Sequence, residues 1–348
     1  MMGGRVVFLL EGTGLYGGVK VVLQQAELLA EQGLDVTVVA KEARPSWYSL
    51  KVEFRKVPSF SPVFLPSADL TVATFWTTVE PALSIPWGRK VHYCQGFEGH
   101  YAQGTEVEPS ILKTYALPIP TWVVNPSLGN LLEARFGRPT FLLPPPLDPF
   151  FRPKRRKPEP RGMPRVLVMG SFDFQWKGVA TALQAVLIMR SRGLPVELWR
   201  ISQFPLTQEE RRLLQPDRYF ESLTPHQTAQ VVRQCDLLLA PSWEEGFGLP
   251  LLEAMASGVP AVASDIDAFR FLAGGVVPLV PPKDPYALAE AAMDLLQSPS
   301  RWRAVREAGL ERAKEFSRLE AARRIREAVC WVFEGTFEGD KGANVGAI

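Results

Sequence analysis

Short apolar runs of strand length alternate along the chain with amphipathic stretches whose period fits an α-helix. In the first part, strands are predicted at 5–10, 35–40, 70–73, 91–93 and 121–124, and a helix at 19–32. The alternation restarts near residue 165, with strands predicted at 165–169, 196–201, 235–240 and 259–263, and helices at 179–190, 225–234 and within 286–333. This alternation predicts an α/β protein with two doubly wound, Rossmann-like parallel-sheet domains.

A segment rich in proline and charge separates the two halves. Residues 143–164 carry neither a helical nor an alternating pattern, which is typical of a linker. We predict an N-terminal domain over 1–145, a linker over 146–164, a C-terminal domain over 165–318 and a closing segment over 319–348. A chain of 348 residues is long enough for two domains of ordinary size.

The stretch 235–263 predicts a buried strand, a tight turn, a helix and a second buried strand. Residues 235–240 are apolar without alternation, as in a strand covered on both faces. Pro250 is tolerated only in the first turn of a helix, so we expect this helix to begin near Gly246. Gly258 would end it.

The expected start of this helix is a place to bind phosphate. The N–H groups of Phe247, Gly248 and Leu249 would lack partners inside the helix, and their partial positive charge suits a diphosphate. Because Gly246 and Gly248 have no side chains, a phosphate could reach the backbone there.

Two carboxylates flank the same turn. Glu245 precedes the expected helix and Glu253 lies about two turns inside it, so they would touch different ends of one elongated ligand. Because a carboxylate repels phosphate, we interpret both as acceptors for hydroxyl groups. A ligand with hydroxyl groups on either side of a diphosphate is a nucleotide-sugar.

The sequence E-G-F-G-L-P-L-L-E, followed by A-M-A-S-G-V-P-A-V-A-S-D, resembles the E-x7-E signature of the family 4 retaining glycosyltransferases. The resemblance implies a GT-B architecture, with two Rossmann-like domains facing a cleft, an acceptor-side N-terminal domain and a donor-binding C-terminal domain. Glu245 would hold the sugar hydroxyls and stabilise positive charge at the ring, and Glu253 would bind the ribose. The last helix, at about 321–333, would cross back onto the N-terminal domain.

A second loop, 169–178, resembles the glycine-arginine loop of the same family, which a lysine-glycine pair closes. Lys177 would then meet the donor diphosphate and stabilise the leaving group as a point charge. The alternative is a lysine that only caps a helix at the surface. Ser171 stands where the family usually has arginine, so one cation is missing, and Arg200 is a possible substitute.

Three further parts of the sequence match the resemblance. Gly17 and Gly18 would let the backbone of the N-terminal domain approach the sugar, and Gln95 aligns with a histidine that contacts the donor sugar in many relatives. Leu223 and Thr224 lie in the segment that contacts the nucleotide base in the family. The Q-G-F-E element at 95–98 is similar to that of bacterial enzymes that build surface polysaccharides.

The first loop also matches a different class of protein. Residues 12–17 read G-T-G-L-Y-G, which fits the G-x-G-x-x-G fingerprint of dinucleotide-binding enzymes, and Glu42 stands where an acid would bind the ribose. A nicotinamide- or flavin-dependent oxidoreductase is therefore an alternative. We prefer the glycosyltransferase because that pattern explains motifs in both halves of the chain.

Metal sites are not indicated. His92, His100 and His226 are isolated in the sequence, and His100 is the best functional candidate among them. Asp265 and Asp267 form a D-x-D pair, but no second acidic cluster accompanies it. We expect no metal and no cofactor, since Lys177 and the helix N-terminus could stabilise the leaving group instead.

Composition restricts the class of protein without identifying it. The net charge of +2 does not indicate a nucleic-acid partner, and three cysteines without metal-type spacing indicate a reducing compartment. The first apolar run is too short for a signal peptide or a membrane span, so we expect a cytoplasmic protein. The basic cluster 154–157 is either a solvated tether or a peripheral contact with the inner face of a membrane.

The resemblance to the family 4 glycosyltransferases implies a retaining, metal-independent hexosyltransferase that acts on a UDP, GDP or ADP sugar. Its acceptor would be a hydroxyl group of a glycan, a lipid-linked sugar or a small molecule, in surface polysaccharide or glycolipid synthesis. A GT-B protein that binds a nucleotide-sugar without turnover is an alternative from another class.

Overall fold

The computed structural model describes residues 4–153, 160 and 162–335. Contacts between Cα atoms divide the chain into a first unit, 1–144 with 322–348, and a second unit, 145–321. The basic cluster 154–157 lies outside the described residues. Each unit contains one parallel sheet with helices on it, which confirms the predicted fold class.

The first unit is built on a seven-stranded sheet in the order β3-β2-β1-β4-β5-β6-β7. Its strands are β1 Arg5–Leu10, β2 Asp35–Ala40, β3 Glu53–Lys56, β4 Leu70–Ala73, β5 Arg89–Cys94, β6 Thr121–Val123 and β7 Thr140–Leu142. Its helices are α1 Gly17–Glu31, α2 Trp76–Ser84, α3 Glu98–Tyr101, α4 Glu108–Tyr115 and α5 Pro126–Phe136. All neighbouring strands pair in parallel.

The second unit is built on a six-stranded parallel sheet in the order β10-β9-β8-β11-β12-β13. Its strands are β8 Arg165–Met169, β9 Glu197–Ser202, β10 Arg218–Glu221, β11 Leu237–Ala240, β12 Ala261–Ser264 and β13 Leu279–Val280. Its helices are α6 Val179–Ser191, α7 Gln208–Leu213, α8 Pro225–Val232, α9 Leu249–Ala256, α10 Asp267–Ala273, α11 Pro285–Gln297 and α12 Pro299–Ala313. A final helix, α13, runs from Arg318 to Glu334.

From Ala322 onward, α13 groups with the first unit. The indole N–H of Trp122 on β6 donates to the Ala328 carbonyl at 3.2 Å, and the Phe141 ring on β7 packs against Trp331 at 5.6 Å. Ile325 and Ala328 are fully buried. The apolar face of α13 therefore completes the core of the first unit.

Burial follows the apolar pattern of the central strands. Residues 237–240 of β11 and 261–264 of β12 are buried throughout, because helices cover both faces of the sheet. Val166, Val168 and Leu239 form one side of the core, and Val186 of α6 and Leu288 of α11 pack with them.

The strand order reverses direction once in each sheet. The reversal lies between β1 and β4 in the first unit and between β8 and β11 in the second. At such a point the connecting loops leave in opposite directions, and ligands of open α/β sheets bind in the crevice at the carboxyl ends of the strands. Each unit therefore has one expected ligand position.

Candidate functional site

A pocket opens at the reversal point of the second sheet. It encloses about 350 Å³ of space, including the part open to solvent. Its walls are formed by the carboxyl ends of β8 and β11, the loops that follow them, the first turn of α9 and the Phe269 side chain of α10. The lining residues are Met169, Gly170, Lys177, Leu238, Leu239, Ala240, Pro241, Ser242, Glu245, Pro250, Leu251 and Phe269.

Lys177 and Glu245, the two predicted catalytic residues, meet in this pocket. The Lys177 Nζ atom donates to Glu245 Oε1 at 2.8 Å, with side-chain exposures of 28% and 11%. The Ser242 hydroxyl donates to the same oxygen at 2.9 Å. Glu245 Oε2 has no hydrogen-bond partner among the residues that the structure describes, so it can accept from a ligand hydroxyl.

Ser242 is a site residue that the sequence analysis missed. It stands three positions before Glu245, at the carboxyl end of β11, and its side chain is buried. A serine at that distance from a candidate carboxylate, across a turn, is the signal that would have identified it.

The loop that carries Lys177 is fixed to the loop after β11. The backbone N–H of Trp243 donates to the backbone carbonyl of Trp176 at 2.7 Å. Gly178 follows Lys177 with a φ of +62°, and a Cβ atom there would lie 2.1 Å from the Pro241 carbonyl oxygen. Only glycine fits this conformation and this approach, so Gly178 sets the position of the lysine.

Neither Ser171, which stands at the position of the missing arginine, nor Arg200, its suggested substitute, offers a positive charge to the pocket. Ser171 is buried, and its hydroxyl accepts from the Asp173 N–H at 3.3 Å. Arg200 has no exposed surface; it donates to Glu210 at 2.6 Å and to the carbonyl of Gly170 at 2.9 Å. The suggestion that Arg200 replaces the missing arginine is therefore wrong, because its charge is neutralised inside the unit. It holds the backbone of the pocket wall instead.

Helix α9 begins at Leu249, three residues later than predicted. Gly248 is the capping residue with a φ of +95°, and a Cβ atom there would lie 2.4 Å from the Phe269 ring. Phe247 is buried, and its ring lies 5.3 Å from that of Phe316. The predicted row of N–H groups, from Phe247 to Leu249, is thus shortened, since Phe247 precedes the helix and Gly248 is its capping residue.

Glu253 lies closer to the helix start than predicted. It is the fifth residue of α9, little more than one turn inside, and it is buried. It is outside the lining of the pocket. The two glutamates of the E-x7-E element therefore have different surroundings: Glu245 faces the pocket, and Glu253 lies in the body of the helix.

Leu223 and Thr224 lie at the carboxyl end of the edge strand β10 and outside the pocket lining. Thr224 caps α8: its hydroxyl accepts from the Gln227 N–H at 3.4 Å, and its N–H donates to Gln227 Oε1 at 2.9 Å. Ser222 before them has a φ of +51°. The segment is thus shaped by a helix cap.

In the first unit, the structure brings Gly18 and Gln95 together. Helix α1 begins at Gly17, and the Gln95 side-chain amide donates to the Gly18 carbonyl at 3.0 Å. Gly17, Gly18 and Gln95 lie at the carboxyl edge of the first sheet, near its reversal point.

Glu42, the ribose-binding candidate of the oxidoreductase alternative, bonds to the glycine-rich loop. Its Oε2 atom accepts from the Thr13 N–H at 2.6 Å and from the Thr13 hydroxyl at 3.0 Å. The backbone hydrogen bond from Thr13 lowers the pKa of this carboxyl group. Glu42 therefore acts as a brace for the loop, which weighs against the dinucleotide fingerprint.

The isolated histidines and the D-x-D pair have local partners. His92 is fully buried, and its Nδ1 atom lies 3.0 Å from Arg138 Nη1. His226 packs against the Phe150 ring, and exposed His100 packs against Phe97. Arg270 donates to both carboxylates of the pair, Asp265 and Asp267. Within the described ranges, no three His, Cys, Asp or Glu side chains are grouped to hold a metal ion.

Sequence similarity to known proteins is found in the second unit. Residues 163–298 match the family model described as "Glycosyl transferases group 1". The phosphatidyl-myo-inositol mannosyltransferase of Mycobacterium leprae is 35% identical over 151 residues, which cover 40% of this chain and 40% of the relative. The match with this relative thus spans about two-fifths of its length.

Solved structures match nearly the whole chain. The sucrose-phosphate synthase of Thermosynechococcus elongatus superposes with a TM-score of 0.79 at 19% identity, over 95% of this chain and 100% of that one. The Anabaena protein HepE, in complex with UDP-glucose, superposes with a TM-score of 0.77 at 13% identity, over 94% and 100%. The chain therefore has the GT-B fold, and residues 163–298 carry the sequence pattern of the group 1 glycosyl transferases.

Proposed function

We propose that the protein is a retaining glycosyltransferase that moves a hexose from a nucleoside-diphosphate sugar to a hydroxyl acceptor. The contact between Lys177 and Glu245, in the pocket at the reversal point of the second sheet, carries this proposal. A cation for a diphosphate and a carboxylate for sugar hydroxyls lie within 2.8 Å of each other there. The family match of residues 163–298 supports it.

Donor binding would exchange partners within this pair. Lys177 would turn from Glu245 to the diphosphate, where its charge stabilises the leaving group. Glu245 would then accept from sugar hydroxyls and stabilise positive charge that develops on the ring. Gly248 and Leu249 at the start of α9 would donate N–H groups to the phosphate, and Glu253 would bind the ribose.

Retention at the anomeric carbon would follow from attack on the face that the diphosphate leaves. The leaving phosphate would accept the proton of the acceptor hydroxyl on that face. With the leaving-group charge stabilised by Lys177 and the helix N-terminus, we expect transfer without a divalent metal ion.

The substrates are proposed by analogy. The match to a phosphatidyl-myo-inositol mannosyltransferase makes mannosyl donors and lipid-linked acceptors the first to test. The UDP-glucose in the superposable HepE complex adds glucosyl donors. No helix in the described part of the chain has both the length and the apolar character needed to cross a bilayer. We propose an enzyme of the cytoplasm that works at the inner face of a membrane.

A nucleotide panel tests the proposal. UDP, GDP, ADP, NAD and FAD are added to the protein one at a time, and the melting temperature is measured. We expect one nucleoside diphosphate to raise it, whereas a rise with NAD or FAD alone would support the oxidoreductase. Labelled sugars of the nucleotide that binds are then tested for transfer or hydrolysis.

Lys177→Ala removes the proposed contact with the diphosphate. Lys314→Ala, which removes the same side chain at an exposed position, is its matched control. Loss of one charge-assisted contact should weaken nucleoside diphosphate binding about 10-fold to 100-fold in the first variant only. Equal affinity of the two variants in calorimetry would contradict the assigned site.

A binding protein without turnover is the second candidate. It is favoured by the pocket lining, in which Lys177 is the one cation among the described residues, and by the burial of Arg200 in an ion pair. Nucleotide binding without transfer to any acceptor, and without hydrolysis of the donor, would support it over the enzyme.

A further inference from the structure

Next to Gln95 in the first unit, three polar side chains and one backbone carbonyl form a hydrogen-bonded cluster. Tyr115 of α4 is fully buried, and its hydroxyl donates to Glu98 Oε2. The same hydroxyl lies 3.2 Å from the Gly96 carbonyl oxygen and 3.1 Å from the Cys94 sulfur. The Cys94 thiol also donates to the Gly96 carbonyl at 3.2 Å. We call these four residues the Tyr115 cluster.

The Tyr115 cluster ties down the segment that carries Gln95. Cys94 is held in β5, the Gly96 carbonyl accepts from the Cys94 thiol, and the Glu98 carboxylate accepts from the Tyr115 hydroxyl. Gln95 lies between these fixed residues, and its side-chain amide donates to the Gly18 carbonyl at 3.0 Å. The position of Gln95 against the start of α1 therefore depends on the cluster.

Glu98 also touches the beginning of α2. The backbone N–H of Trp76, the first residue of that helix, faces the Glu98 carboxylate and lowers its pKa. A carboxylate at a helix N-terminus is favoured by the helix dipole. One side chain thus joins the loop after β5, helix α4 and helix α2.

The hydroxyl of Tyr115 has one proton and two neighbouring acceptors. With Glu98 ionised, the proton goes to the carboxylate in a charge-assisted hydrogen bond. With Glu98 neutral, the carboxylic acid can donate to Tyr115, and the hydroxyl can then donate to Gly96. Burial keeps the Cys94 thiol protonated, with a pKa raised to about 12, so its bond to Gly96 persists in both states.

Among the described residues, Arg138 is the charged group that acts on the Glu98 carboxylate. The Arg138 guanidinium lies 4.8 Å from the Tyr115 ring, on its face, and bonds His92, which burial keeps neutral by lowering its pKa. Burial also raises the pKa of Glu98, to about 7, and the hydrogen bonds from Tyr115 and Trp76 oppose that rise.

We propose that Glu98 and Tyr115 are positioning residues that hold Gln95, the predicted contact for the donor sugar, against Gly18. This inference rests on the proposed function for its effect on transfer. The geometry of the segment 94–98 does not depend on it.

A double-mutant cycle on transfer tests the coupling. Glu98→Gln, Gln95→Ala and the double variant are compared with the wild type by kcat/KM for the donor. We expect a loss of about 5-fold to 10-fold for each single variant and no further loss in the double variant. Losses that multiply in the double variant would overturn the positioning role.

The pH profile supplies a readout that a merely structural role would leave unchanged. For the wild type we expect kcat/KM to rise with pH through an inflection near 7, because the ionised carboxylate accepts stronger hydrogen bonds. Glu98→Gln should give a flat profile at the acidic level. An unchanged inflection in that variant would contradict the proposal.

Hydrogen exchange of the backbone tests the same geometry without turnover. Amides of 16–20 and 95–98 are followed in wild type, Glu98→Gln and Tyr115→Phe at pH 6 and pH 8, after correction for intrinsic rates. We expect protection in the wild type to change with pH, and protection in Glu98→Gln to be independent of pH. Equal pH dependence in wild type and Glu98→Gln would overturn the inference even if transfer fails.

The outcomes for the two proposals are distinct. A wild type that binds no nucleoside diphosphate contradicts the proposed function, while the exchange data still decide the role of Glu98. Nucleotide affinity of the Lys177 pocket should be equal in wild type and Glu98→Gln, because that pocket lies in the second unit. Amide protection in the central strands of the first unit, compared between the two proteins, controls for misfolding of that unit.

Discussion

Glu253 shows how burial limits what one carboxylate can do. Its place on the fifth position of α9 leaves it 7% exposed, while Glu245 faces the pocket. In the proposed complex, the two ribose hydroxyls would donate hydrogen bonds to this carboxylate. Its binding role can therefore be separated from that of Glu245 by changing the ribose rather than the sugar.

We expect Glu253→Gln to lower nucleotide affinity about 10-fold, with the loss restricted to ligands that carry ribose hydroxyls. Calorimetry would compare the nucleoside diphosphate that binds with its 2′,3′-dideoxy form. The wild type should distinguish the two, and the variant should not. Glu290→Gln, at an exposed position, is the control. If the variant still prefers the ribose form to the same extent, the ribose assignment fails.

Glu98 makes the stability of the first unit depend on pH. Its pKa is raised from 4.5 to about 7, so the folded state binds a proton that the unfolded state has already lost. The stabilising effect of that proton is fully present below pH 4.5 and is lost as pH rises through about 7. The difference corresponds to at most about 3 kcal/mol.

We expect Glu98→Gln to remove most of this pH dependence. Urea unfolding of the first unit at pH 5 and pH 8 measures it, with a probe such as amide exchange in β5. The wild type should lose free energy of unfolding between the two values, and the variant should lose much less. A variant with the wild-type slope would show that another group titrates.

At the scale of elements, central strands were predictable and edges were not. Apolar runs identified β1, β2, β8 and β11 because helices cover both faces of these strands. The edge strands β3, E-F-R-K, and β10, R-Y-F-E, are half polar, so no pattern marked them. The start of α9 was misplaced because Gly248 adopts a φ of +95° beside the Phe269 ring, and no local sequence pattern marks that conformation.

The candidate site was predictable to a similar extent. Lys177 and Glu245 came from motifs whose spacing is local, and the sheet brings them to one pocket. Arg200 was misjudged because its partner, Glu210, lies on α7, a helix that the sequence pattern did not indicate. Only a folded unit could show that the pair is buried.

Gly178 lets us separate backbone strain from steric collision at a helix start. Gly178 and Gly137 have nearly equal φ angles, +62° and +64°, but a Cβ atom meets the Pro241 carbonyl oxygen only at Gly178. We expect Gly137→Ala to cost about 1–2 kcal/mol from the left-handed conformation alone. Gly178→Ala should cost clearly more and weaken nucleotide binding. Equal losses in thermal unfolding would show that the loop after β8 can shift freely.

At the scale of the whole molecule, α13 makes the first unit discontinuous in sequence. Its residues Ile325, Ala328, Val329 and Val332 are buried against a sheet formed about 200 positions earlier. Arg326 also donates to Gln32 at 2.8 Å. The first unit is therefore incomplete without this helix.

Replacing Ile325 by alanine should destabilise the first unit by about 2–5 kcal/mol, because it leaves a cavity under a fully buried side chain. Leu319→Ala, at a position 84% exposed on the same helix, is the matched control and should change stability little. Nucleotide binding in the second unit should be unchanged in both variants. Urea unfolding followed separately in the two units provides the measurement.

The placement of α13 also has a consequence for the order of events during synthesis. Residues 145–321 form a continuous unit, which can close its sheet as soon as β13 and the following helices leave the ribosome. The first unit, although its sheet is synthesised earlier, must wait for residues beyond 322. During that interval the surfaces of β6 and β7 that α13 covers stay exposed, so nascent chains are expected to need protection from a chaperone there.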